Sequence, residues 1–221
     1  MKFICIIPAR YASTRFPGKP LVDLGGKPMI QRVYEQAKKV LDTVIVATDD
    51  QRIYDCVQSF GGQVYLTSPD HTCGTDRIHE AYQLFTASSQ LPIADEETVV
   101  INIQGDEPFI QPAQIQALMD CFPTEIATLV HPFTAQDTWQ DLANPNYVKV
   151  AIAREDNHSN ATIGRAMYFS RSVIPYIRGV ETTDWLQHEH HFRHIGMYAY
   201  RADILQKITQ LKPSMLEKLE C

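Results

Sequence analysis

FICIIPAR, residues 3–10, is the stretch that decides the fold. The isoleucine-rich run FICII stops at Pro8, and a cation follows at Arg10. Successive strand side chains point to opposite faces, so an unbroken apolar run needs cover on both faces. Such a strand belongs inside a sheet with helices on each side. The text downstream alternates accordingly. From Pro28, MIQRVYEQAKKVL carries Met29, Val33, Ala37 and Val40 at helical spacing, with Pro28 suited to the first turn. TVIVAT (43–48) reads as a strand, and Asp49 or Asp50 caps a helix through Phe60 that Gly61 and Gly62 end. QVYLT (63–67) is a third strand, followed by a helix over 74–87 and a strand over 98–103. This alternation predicts an α/β fold: a mostly parallel, Rossmann-like sheet flanked by helices, with ligands beyond the carboxyl ends of the strands. After a helix over 111–121, ATLVHPF reads as a further strand, and VKVAIA, RAMYF and HIGMYAY within 144–201 read as strands of a small mixed or antiparallel extension.

The 221 residues suit one domain, expected to span 1–221, and a chain of this length buries a core without metal or disulfide. Hydrophobic residues make up 44% and charged residues 21%, which excludes a disordered or collagen-like chain. Twenty Lys and Arg against 26 Asp and Glu leave −6, and the basic residues form no extended aromatic-laced stripe, so nucleic acid is not the expected partner. Cysteines stand singly at 5, 56, 73, 121 and 221, with no C-x-x-C pair. The short apolar start before Pro8 is neither a signal h-region nor a membrane span, so the expectation is a cytoplasmic protein without a membrane partner.

Three stretches carry chemistry. ARYASTRFPGK gathers Arg10, Arg15 and Lys19 with Ser13, Thr14 and Gly18 directly after the first strand. Fixed cations and backbone N–H groups are what a triphosphate needs. The loop is not a P-loop, because Pro20 follows Lys19 and Ser13 stands where that motif has glycine; it is not G-x-G-x-x-G either. Alternatively these are solvated surface charges. QGDEP follows the strand TVVINI and delivers Asp106 and Glu107 to the same sheet edge. A carboxylate beside phosphates suits Mg²⁺, a hard cation, although a plain acidic turn has the same composition. GTDR opens a helix where Gly74 permits close backbone approach and Thr75 or Asp76 can cap.

The run IIPARYASTRFPGKPL resembles the opening of the 3-deoxy-manno-octulosonate cytidylyltransferases, a nucleotide-diphospho-sugar-transferase-like family. VATDD, GTDRI, NIQGDEP, NPNYVKV, YFSRSVIPY and FRHIGMYAYR extend the resemblance over the whole chain. It implies transfer of CMP from CTP to 3-deoxy-D-manno-octulosonate (KDO), with pyrophosphate released, for lipopolysaccharide synthesis. It implies Mg²⁺ on Asp106 and triphosphate held by Arg10, Arg15 and Lys19. It places Pro8, Ala9, Ser13, Gly74, Thr75, Gln104 and Gly105 around the nucleotide, and offers Lys149, Arg171, His194 and Tyr198 to the sugar acid. It also implies a homodimer, with 144–201 as sugar-binding and dimer-contact subregion. Strict alternation in HIGMYAY puts His194, Gly196, Tyr198 and Tyr200 on one face, and Ile195, Met197 and Ala199 on a buried one. Family chains continue past the helix beginning at Ser214 to a G-V-D-T-P-like turn whose aspartate is a second metal ligand. The sequence given stops at LEKLEC, so no residue inherits that role, and the expectation is CTP binding with poor turnover. Other readings are a cytidylyltransferase for a sialic acid or amino-octulosonate, a non-catalytic nucleotide binder, and a structural partner. The histidines of HEHHFRH (188, 190, 191, 194) lack the spacing of a helical zinc motif.

Overall fold

A computed structural model describes residues 1–12, 16–71, 73–89, 96–153, 163–188 and 191–220. In chain order it holds β1 (Lys2–Ala9), α1 (Met29–Lys38), β2 (Thr43–Thr48), α2 (Gln51–Ser59), β3 (Gln63–Leu66), α3 (Gly74–Ser89), β4 (Thr98–Asn102) and α4 (Pro112–Met119). β5 (Ile126–Pro132), α5 (Trp139–Ala143), β6 (Lys149–Ala153), β7 (Arg165–Ser170), β8 (Phe192–Arg201), α6 (Ala202–Ile208) and α7 (Met215–Glu220) follow. Two compact units emerge, Met1–Ala127 with Gly196–Leu211, and Thr128–Ile195 with Lys212–Cys221. No helix among the described residues is long and apolar enough to cross a membrane.

In the first unit the strand order is β3-β2-β1-β4, all parallel, and the Gly196–Arg201 half of β8 runs antiparallel beside β4. Ile4, Cys5, Ile6 and Ile7 are fully buried, as a strand covered on both faces requires. On one face Ile4, Ile6, Ile45, Ala47 and Val100 pack against Ile78, Ala81, Tyr82 and Phe85 of α3. Burying each of the isoleucine, valine and phenylalanine side chains among them stabilises the fold by about 1.5–3 kcal/mol. The Asp49/Asp50 alternative resolves: the Asp50 side chain accepts from the Arg52 N–H and caps α2, which leaves Asp49 free for another partner. β1 to β3 advance to one side and β4 lies on the other side of β1, so the direction of winding reverses between β1 and β4. That reversal opens a crevice at the carboxyl ends of these two strands.

In the second unit β6 pairs antiparallel with both β7 and the Phe192–Ile195 half of β8. Phe133, Leu142 and Leu186 form its core, with Tyr147 and Val173 against them. The 144–201 stretch falls in this unit as far as Ile195. The alternation expected of β8 holds where Met197 and Ala199 are fully buried. The opposite face is more covered than expected: Tyr198 and Tyr200 stack at 5.8 Å and both pack on the first unit's core.

Candidate active site

The crevice between β1 and β4 is a cavity of about 350 Å³. Pro8, Ala9 and Arg10 enter it from the end of β1, and Gln104, Gly105 and Asp106 from the end of β4. Gly105 suits this position because a Cβ would stand 3.0 Å from the Pro8 carbonyl oxygen, and the β1 backbone would have to give by a few tenths of an ångström to admit it. The Gln104 carbonyl accepts from the Glu107 N–H at 3.2 Å, closing a turn that carries the Asp106 side chain outward. Burial, and then the neighbouring Asp106 carboxylate, pushes the Glu107 carboxyl up; Asp106 is the exposed member of the pair.

The loop after β1 returns to the cavity at Lys19 and Pro20. Its stem is tied where the Gly18 N–H donates to the Tyr11 carbonyl at 2.9 Å, with Gly18 at φ 70. Lys19 Nζ donates to Asp106 Oδ2 at 2.5 Å, so the basic loop and the acidic turn meet on one cavity. Ser13, Thr14 and Arg15 lie outside the described residues.

The remaining wall comes from the β3–α3 connection. His71, Cys73, Gly74 and Arg77 line it. Arg77 is buried; its Nη1 donates to Thr67 Oγ1 at 2.6 Å and its Nη2 to Asp49 Oδ2 at 2.7 Å. Glu80, one turn later, accepts from the Ser68 N–H at 2.8 Å and bonds His71 Nε2. The Thr75 and Tyr200 hydroxyls are hydrogen-bonded to each other, and burial pushes the ionisation of the Tyr200 phenol well up. One sequence expectation needs correction. Neither Thr75 nor Asp76 caps α3; the Asp76 N–H donates to Cys73 Sγ at 3.4 Å. A Cβ at Gly74 would meet Pro8 Cγ at an ordinary 3.7 Å. Pro20, His71, Cys73 and Arg77 in the lining, and Asp49 and Tyr200 behind it, are cavity residues or supports that sequence reasoning passed over.

Of the candidates for the sugar acid, Lys149, Arg171 and His194 lie in the second unit and Tyr198 in the first. Lys149 is fully buried and its Nζ donates to the Asn144 carbonyl at 3.0 Å; burial, and then Arg171, draw its pKa down. Arg171 Nη1 donates to the next carbonyl, Pro145, at 3.0 Å, so two cations converge on the Asn144–Pro145 turn. His194 Nε2 bonds Thr128 Oγ1 at 3.0 Å and its ring meets Phe169 edge-on at 5.3 Å; burial draws its pKa down. His191 stacks on Trp185 and bonds the Pro175 carbonyl, while Glu189 and His190 lie outside the described residues.

Among the described residues no three His, Cys, Asp or Glu side chains gather as a metal cage. Mg²⁺ does not need one: it keeps several waters and binds through one or two carboxylates plus substrate phosphates. Asp106 is half exposed, at 49%, at the mouth of a cavity with cations, and so fits an ion that arrives with a triphosphate.

A parallel α/β sheet with a cation–carboxylate pair across its switch-point crevice is the class of site that suits nucleotidyl transfer. The chain matches the cytidylyltransferase family over residues 4–221, and it belongs to that family, among the 3-deoxy-manno-octulosonate cytidylyltransferases. An enzyme of that description from Parabacteroides distasonis is 56% identical over 224 residues, covering 100% of this chain and 83% of the relative. One from Vibrio vulnificus is 44% identical over 223 residues, with 100% and 83% covered. The solved structure of a CMP:2-keto-3-deoxy-manno-octonic acid synthetase complexed with CTP is similar at a TM-score of 0.80 and 40% identity, covering 100% of this chain and 82% of that one.

Proposed function

We propose that this chain transfers CMP from CTP to 3-deoxy-D-manno-octulosonate and releases pyrophosphate, making the activated sugar acid for lipopolysaccharide synthesis. The observation that carries the reading is the Lys19–Asp106 pair, which brings the basic loop and the acidic turn together on one cavity. The sugar's anomeric oxygen forms a bond to the α-phosphorus while the bond to the bridging oxygen of pyrophosphate breaks on the opposite side. Negative charge grows on phosphate oxygens, so preorganised donors do most of the work. Arg10 presents a planar fork and Lys19 a point charge to the triphosphate. Arg15 joins them by family resemblance. Asp106 holds Mg²⁺, which when bound neutralises phosphate charge and orients the triphosphate. Pro8, Ala9, Gln104 and Gly105 shape the wall, and Gly74 and Thr75 open the side toward the nucleoside.

The sugar's carboxylate calls for a cation, and Lys149 keeps two donors beyond its bond to Asn144. Arg171 beside it, with His194 of the same unit, completes the proposed sugar subsite. Lys149→Met should therefore raise KM for the sugar acid and leave KM for CTP unchanged. A second copy of the chain is the proposed partner. Among the described residues β7 pairs with β6 alone and exposes Met167, Tyr168 and Phe169, an apolar strand edge of the kind proteins cover. Sedimentation should give a dimer that Met167→Asp dissociates.

The deciding experiment is pyrophosphate release from CTP and KDO with Mg²⁺, run beside a sialic acid. Turnover with KDO and none with sialic acid is expected. CTP binding without any pyrophosphate release would overturn transfer in favour of a nucleotide-binding protein.

A further inference from the structure

The basic loop is tied to α2 outside the cavity. Arg10 and Lys19 line the cavity, while Tyr11, the residue after Arg10, is not part of its wall. The Tyr11 ring instead meets two other groups. One is Gly18: a Cβ there would stand 2.9 Å from Tyr11 Cε2, and its backbone is at φ 70, so ring and turn both require glycine. The other is the Arg52 guanidinium, whose Cζ lies 3.3 Å from the ring centroid. A guanidinium over an aromatic face is held there by the ring's quadrupole.

Arg52 is held in its turn. Its Nε donates to Asp50 Oδ1 at 2.9 Å and its Nη2 to Asp50 Oδ2 at 2.6 Å, a bidentate fork. Asp50 cannot follow a moving loop, because the same carboxylate accepts the Arg52 N–H at 2.9 Å as the cap of α2. A line of contacts therefore runs from the α2 cap through Arg52 to the Tyr11 ring, and on to Gly18 and Lys19. The bond from the Gly18 N–H to the Tyr11 carbonyl closes the loop on itself, and the Arg52 contact ties that closed stem to α2. Lys19 carries its charge at the end of a flexible stem, so its backbone must be fixed for the charge to be placed. Misplacing a reacting or binding group by about 1 Å can cost about 100-fold in rate. We infer that Tyr11, braced by Arg52, is a positioning residue that fixes the backbone of Lys19 at the phosphate end of the cavity. The inference rests on the proposed CTP-binding reading and deepens it. Tyr11 acts through Lys19 and not on the nucleotide.

The test is equilibrium binding of CTP and of inorganic triphosphate, each with Mg²⁺, to the full chain and to Tyr11→Leu, Tyr11→Phe and Arg52→Gln. Tyr11→Leu should weaken both ligands at least about fivefold, and Tyr11→Phe, which keeps the ring, should stay within about twofold of the parent. Arg52→Gln should weaken both about two- to fivefold, the worth of a cation over an exposed ring. The same Tyr11→Leu change made in a Lys19→Met chain should alter binding less than about twofold, because the group it positions is gone. Equal loss with and without Lys19 would make Tyr11 a support of the fold at large and overturn the inference. A loss for CTP with none for inorganic triphosphate would place Tyr11 against the nucleoside and overturn it too. If Tyr11→Leu does not fold, Arg52→Gln decides, since that side chain is 59% exposed; unchanged binding there, or a loss that persists in the Lys19→Met chain, refutes the inference. Failure of the unaltered chain to bind CTP would instead sink the underlying functional reading, and this inference with it.

Discussion

Asp106→Asn separates what the Lys19–Asp106 pair does for the fold from what it does for the reaction. Asparagine keeps the shape of the side chain and removes its charge. The two side chains are 36% and 49% exposed, so their ion pair is well solvated. Such pairs are worth about 0–1 kcal/mol. The variant should thus unfold no more than about 4 °C below the parent, the shift that 1 kcal/mol gives a domain of this size. The same small figure is the cost of parting the pair, so Lys19 leaves Asp106 for a phosphate with little penalty. Turnover should respond on a different scale. Loss of a preorganised charge in a transition state costs about 10²- to 10³-fold, or about 2.7–4 kcal/mol. Thermal unfolding and pyrophosphate release from CTP and KDO, measured on one preparation at saturating Mg²⁺, give both numbers. An Asn variant that keeps a third of the parental kcat/KM refutes the metal assignment. One that loses more than about 3 kcal/mol of stability refutes the claim that the pair is exchangeable, since only a buried pair costs that much to break.

Gly105→Ala should weaken CTP binding and destabilise the chain by about 1–3 kcal/mol, because the new Cβ meets the Pro8 carbonyl at 3.0 Å; calorimetry with CTP checks it, and an unchanged affinity rules against it. Burial holds His79 and His194 below the ordinary histidine pKa, so the unfolded chain takes up protons first as pH falls. Stability should decline on acidification from about pH 6.5, and His79→Gln should flatten that slope in urea titrations between pH 7.5 and 5. Asp203 contributes in a lower window: Arg201 and then Lys207 hold its carboxyl far below the usual range, so its stabilisation is present above about pH 4 and lost beneath it, and Asp203→Asn should remove that acid-side loss. Cys73 lines the cavity, so its alkylation should block CTP binding and bound CTP should slow the alkylation; labelling at an unchanged rate would place the nucleotide elsewhere.

The strands of the first unit are legible because their apolar runs are bounded by Pro, Gly or Asp, and because burial on both faces removes any ambiguity of face. The two chemical loops are legible for the same reason: each follows such a strand directly. The β3–α3 wall is harder. Arg77 reads as a helix surface charge until its partners are known, and those partners, Asp49 and Thr67, arrive from the ends of other strands. One signal was available. Arg77, Ala81 and Phe85 recur every four residues along α3, so the arginine sits in line with a buried stripe, and a charge there must be paired. Tyr198 and Tyr200 illustrate the opposite error. Alternation assigned them to one face correctly, but periodicity cannot tell a ligand-facing surface from a second core face, and the α3 side chains cover this one.

The cavity is thus bounded by two pairs of the same chemistry, and burial sets them to different work. Arg77–Asp49 has side chains 4% and 19% exposed, and Lys19–Asp106 has 36% and 49%. Removing one partner of a buried pair costs about 3–5 kcal/mol, several times the worth of a solvated one. Substrate binding can therefore divide the second pair but not the first. The Arg77 end is fixed before a ligand arrives, which favours selectivity. In the proposed reaction Lys19 and Asp106 stay paired with each other until a ligand brings both a phosphate for Lys19 and a metal ion for Asp106. A free metal ion or a metal-free triphosphate satisfies only half of that exchange and strands the other partner. CTP and Mg²⁺ should accordingly bind with positive coupling, and Asp106→Asn should abolish the coupling while leaving metal-free CTP affinity equal to or higher than the parent's.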